Sequence, residues 1–122
     1  MLIALLTILF LGGTPTALMG EISIVQDSVK LIMPKNDERK AALSVLKQME
    51  KATKTQNKQV SKSSKQLANA LADHEFDAVE IDRMWSEYHQ ARGNFQMELI
   101  DLRFELKEHI SREEWADIFS DS

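Results

Sequence analysis

A chain of 122 residues whose opening fifth, roughly, is uncharged and apolar leaves about 100 residues for folding, enough for one small domain. Its 15 basic and 19 acidic side chains nearly cancel to −4, so no overall basic field draws the molecule to nucleic acid. The absence of cysteine excludes thiolate chemistry, thiol metal sites and disulfides, and four glycines and two prolines in a body rich in Ala, Leu, Glu, Lys and Gln predict an all-α protein.

The opening run MLIALLTILFLGGTPTALMG carries no charge and is about the 20 residues that a spanning helix needs. A secretory signal wants a basic start and small residues at −3 and −1 of the cut. No basic residue precedes Lys30, and cuts after Gly13, Ala17 or Gly20 would place Leu11, Pro15 or Leu18 at −3. Residues 1–20 are therefore expected to be retained as a membrane anchor, with Leu2, Ile3, Leu5, Leu6, Ile8, Leu9, Phe10 and Leu11 in contact with lipid. Thr14 and Pro15 also read as an N-cap and first helical position, which would kink that anchor. Lys30, Lys35, Arg39 and Lys40 follow the run and none precedes it, which favours a single-pass membrane protein with its helical domain in the cytoplasm.

Residues 21–34 form the next predicted element, an amphipathic juxtamembrane helix. Met19, Ile22, Val25, Val29, Ile32 and Met33 recur at spacings of three and four beside Glu21, Asp27 and Lys30. Lipid headgroups, a second copy, another membrane subunit or the protein's own hairpin could cover that stripe. Pro34 ends the helix, and Asn36 or Asp37 caps the one that follows.

Residues 35–122 read as a long antiparallel helical hairpin with a short terminal helix. Leu46, Thr53, Val60 and Leu67 form one row of a heptad, with Met49, Gln56, Ser63 and Ala70 beside it. The middle of that helix, TKTQNKQVSKSSKQ, is basic and poor in apolar residues, and is expected to be a solvated arm with a thin buried edge. ADHEFD breaks the pattern, and a second long helix carries Ile81, Tyr88, Phe95 and Leu102, flanked by Trp85, Leu99 and Leu106. Folding back near residue 74 pairs Leu67 with Ile81, Val60 with Tyr88, Thr53 with Phe95 and Leu46 with Leu102, large side chains against small ones. The aromatic row is thus expected in the hairpin core rather than in a base-stacking platform or cofactor box.

One partner helix covers Leu99, Leu102 and Leu106 but not the second apolar face, Met97, Ile100 and Phe104. After Ser111 and Glu114, a capping-box pair, the terminal helix projects Trp115, Ile118 and Phe119. These six residues are the predicted interaction surface, for a homo-oligomer or a larger membrane-protein complex beside the lipid.

The stretch DLRFELKEHISREEWADIF is similar to the end of the small all-helical envelope proteins of the Spy/CpxP and heavy-metal-resistance type. The resemblance covers about residues 95–119, with Ser111-Arg112 where that family has Thr-Pro and without its paired LTxxQ motifs. It implies a secreted periplasmic chaperone or a stress or metal sensor, makes the membrane the bacterial inner membrane, and puts the domain in the periplasm, against the charge rule. Asp101, Glu105 and His109 share a helical face, and His74 lies near Glu75 and Asp77, yet no metal site is assigned because such stripes are common on solvated helices; Glu105 and His109 read instead as an i,i+4 pair. No catalytic set, phosphate loop, cofactor motif or small-molecule substrate site is legible. The expected function is that of a non-enzymatic, membrane-anchored helical interaction protein, with the Spy/CpxP-like chaperone or sensor as the alternative.

Overall fold

The structure is a computed structural model and describes residues 15–119. Within them the chain is entirely helical, with α1 at Pro15–Ile32, α2 at Asp37–Ala72, α3 at Ala78–His109 and α4 at Arg112–Ile118. Each start has its local cause. Pro15 occupies the first position of α1, where a missing N–H costs nothing. The Asn36 side chain accepts from the Arg39 N–H at 2.9 Å, ahead of Asp37 and Glu38 in the first turn of α2. Asp77 accepts from the Val79 N–H at 2.9 Å to open α3. Ser111 and Glu114 form the expected capping box at α4, with both bonds 3.1 Å long.

Helices α2 and α3 pack antiparallel in the predicted register. His109 Nδ1 meets Glu38 Oε2 at 3.1 Å at the open end, and further along Ala52 and Phe95, then Ser63 and Met84, line common grooves between the two helices. The pairing of His109 with Glu38, across the hairpin, replaces the expected pairing with Glu105. Helix α1 packs on α2 and α4 folds back onto α1, so α2 is flanked by two neighbours.

The core occupies one end only. Leu18, Ile22, Val25, Val29 and Met33 of α1 join Ala42, Val45, Leu46 and Met49 of α2, Leu99, Leu102 and Leu106 of α3, and Ile110, Ile118 and Phe119. The stripe of α1 thus packs on the protein's own hairpin, the last of the four coverings open to it. No residue from 57 to 98 is buried, so among the described residues the hairpin beyond Gln56 is a two-helix arm. Thr53, fully buried, closes the core at that boundary, and its hydroxyl donates to the Met49 carbonyl at 2.7 Å.

This arrangement corrects the first domain boundary. Pro15–Gly20 opens α1, and Leu18 is only 3% exposed within the core, so these residues do not belong to a membrane span. Leu2, Ile3, Leu5, Leu6, Ile8, Leu9, Phe10 and Leu11 lie outside the described residues, as does the Thr14 cap. Among the described residues no helix is long and apolar enough to cross a membrane.

Candidate functional site: two apolar patches on the hairpin

The six residues predicted as an interaction surface divide into two groups. Met97 and Phe104 are each 58% exposed on α3, and Ile100, on the same side, is half-buried at the edge of the core. They form a continuous face because residues three and seven apart fall on one side of a helix, while Leu99, Leu102 and Leu106 turn toward α2. Ile118 and Phe119 are a correction: both are core residues, buried because α4 folds back on α1 instead of projecting from the hairpin. Trp115 is half-buried. Its ring lies 4.5 Å from that of Phe119 and beneath the Arg103 guanidinium, 5.6 Å from the ring centre, so it fastens α4 to α3 and is not a free anchor.

A second patch lies on the arm. Leu71, Phe76, Val79 and Trp85 are all about half exposed or more, around the turn that joins α2 to α3. Trp85 stacks on Tyr88 at 5.8 Å and meets His89 edge-on at 4.8 Å, a three-ring cluster held by i,i+3 and i,i+4 spacing alone. Only Tyr88 and Phe95 of the expected aromatic core row are half-buried. Trp85 is left out because a single neighbouring helix buries only one stripe of α3. The signal that could have revealed this was length: an 18-residue α1 cannot cover a 36-residue α2.

Two sets of charged groups tie the helices locally. Arg83 bridges Glu80, which it grips with two nitrogens, and Glu87 at 2.6 Å. The Arg83 guanidinium holds the Glu80 carboxyl below its ordinary range, and the two carboxylates raise Arg83 in turn. Between α1 and α2 the Gln26 amide donates to the Glu50 carboxylate at 3.2 Å. That hydrogen bond, followed by Lys54 at 3.1 Å, holds the Glu50 carboxyl below its ordinary value of 4.5. A carboxyl depressed in the folded state stabilises the fold fully above its unfolded value and loses that contribution as the pH falls through the folded one. Urea midpoints measured from pH 6 to pH 3 should therefore fall less steeply for Gln26→Ala than for the parent chain. Equal slopes would show that the contact does not hold α1 in place.

Two cavities are open stretches of the groove between α2 and α3, and another lies over the loop that leads into α2. One in the α2–α3 groove, ≈ 550 Å³, is lined by Lys51, Thr55, Gln56, Asn94, Phe95 and Glu98 among others. Among the described residues no three His, Asp or Glu side chains converge as metal ligands, and His109 is bound to Glu38. No family model, curated protein or solved structure matches the chain.

Proposed function

We propose that the protein is a non-enzymatic helical interaction protein that associates with a bacterial membrane and joins a second copy, or a subunit of a membrane complex, through Met97, Ile100 and Phe104. The observation that carries this reading is the 58% exposure of both Met97 and Phe104 on a face that the hairpin partner cannot reach. Large apolar side chains gain about 25 cal/mol for each Å² removed from water, and a cluster of them beside a packed core favours association. The uncharged residues Leu2, Ile3, Leu5, Leu6, Ile8, Leu9, Phe10 and Leu11 supply membrane affinity.

Changing Met97 and Phe104 together to Ser tests the docking face, because neither side chain is part of the core. The full chain in detergent should fall to a smaller particle mass by light scattering, with its helical signal retained. An unchanged mass with retained helicity would refute association through this face. A second reading rests on the exposed Leu71, Phe76, Val79 and Trp85 of the arm, which suit capture of unfolded apolar segments by a Spy/CpxP-like periplasmic chaperone. On that reading the Met97/Phe104 variant keeps its mass, and Trp85→Ser with Val79→Ser lowers suppression of aggregation of an unfolded client.

A further inference from the structure

Helix α2 carries Lys47, Lys51, Lys54, Lys58, Lys62 and Lys65 at spacings of three and four, which the helical repeat gathers into an arc of about 80°. All six are exposed. Val45, Met49, Thr53 and Gln56, the side chains turned inward, lie on the opposite side of the helix. Glu50 is the single acid between residues 39 and 72, against eight basic side chains. From residue 73 onward the balance reverses, with fourteen acids and five bases. The net charge of −4 therefore conceals a molecule with one strongly basic helix and an acidic remainder.

We infer that this lysine face is a docking surface for an anionic lipid bilayer, with α2 lying along the headgroups and the acidic α3 held away from them. A straight helix sets the six ammonium groups on a line about 27 Å long, which meets a plane along its whole length. Beside the arc stand Leu43 and Glu50, the latter paired with Lys54 at 3.1 Å; the other side chains within and beside it are Ser, Thr, Gln, Asn and Ala, with no aromatic ring to stack on a base and no Arg to grip a phosphate or guanine in bidentate fashion. Lysine is a mobile point charge suited to a field of headgroups rather than to one oriented anion. Because the complementary acids sit on the other long helix, only this side of the molecule is attracted. The inference rests on the membrane reading above only in placing a bilayer nearby.

The test exposes the full chain to vesicles of phosphatidylcholine alone and to vesicles in which one-third of the lipid is phosphatidylserine, then maps lysine acetylation by peptide mass spectrometry. Lys58, Lys62 and Lys65 should react at least about tenfold more slowly on the acidic vesicles, and the protection should vanish at about 0.5 M salt. Each lysine beside an anionic leaflet strengthens adsorption roughly fivefold, so changing Lys47, Lys58, Lys62 and Lys65 to Gln should weaken binding to acidic vesicles by at least about a hundredfold. The circular dichroism of this variant should match that of the parent chain. Equal acetylation on the two vesicle types overturns the inference, as does protection by duplex DNA at lower concentration than by acidic lipid. Salt-resistant binding to neutral vesicles without lysine protection would leave the apolar membrane segment standing and remove the lysine face. Salt-sensitive binding to acidic vesicles alone would do the reverse.

Discussion

Val29→Asp should abolish or nearly abolish cooperative folding, whereas Leu31→Asp, two residues away on the same helix, should change stability by less than about 0.5 kcal/mol. Val29 is fully buried where α1 meets the hairpin, and Leu31 is 86% exposed. A carboxylate at position 29 would be sealed among Val25, Met33 and the side chains of α2 with no partner in reach, and a buried charge without a partner costs about 4 kcal/mol or more. That is of the order of the whole stability of a small domain, about 5 kcal/mol at the lower end. The measurement is urea unfolding followed by circular dichroism. Equal shifts for the two variants would show that α1 does not dock through its Leu18–Ile22–Val25–Val29–Met33 stripe. The arm helices would still have no other source of cooperativity, so residual helicity in Val29→Asp should melt without a sharp transition.

Amide exchange should divide each long helix in two. In α2 the residues up to Gln56 are tied to α1 and α3 through Ala42, Val45, Leu46, Met49 and Thr53, whereas residues 57–72 contain no buried side chain. In α3 the division falls near Leu99. Opening the arm exposes only half-buried side chains such as Val60, Leu67, Ile81 and Tyr88, whereas opening the base exposes the whole core. Local opening free energy tracks the buried apolar contacts that must be broken, and a difference of about 3 kcal/mol corresponds to roughly a hundredfold in protection. Amides of residues 60–72 and 79–90 should therefore exchange about a hundred times faster than those of residues 45–56 and 100–108. Uniform protection along α2 would mean that the arm is covered, as it would be by a second copy packed along it. The concentration dependence of protection would identify that case.

The helical class, the starts of α2, α3 and α4 and the hairpin register were legible in the sequence because each depends on local chemistry or on a simple repeat. Asn36, Asp77 and the Ser111–Glu114 pair cap helices through bonds within three residues, so nothing distant decides them. The register follows from a heptad that matches large side chains to small ones about a turn near residue 74. The lysine arc was equally legible as a spacing, but the whole-chain charge, in which the acids of α3 cancel it, hides it from a composition reading.

Tertiary structure alone decided which apolar faces are left over. An amphipathic stripe records that a helix wants a partner and says nothing of which one, so α1 could have met lipid, another chain or its own hairpin; the fold chose the hairpin. That choice drew Leu18 into the core, moved Pro15–Gly20 out of the expected anchor, and made core of Ile118 and Phe119. It also left Met97, Phe104 and Trp85 uncovered, since α1 and α4 reach only the base of the hairpin. Coverage depends on helix lengths and on the direction in which the terminal helix turns. Both are set by packing between segments far apart in the chain, where burial of apolar area, being non-directional, favours any arrangement that closes the core.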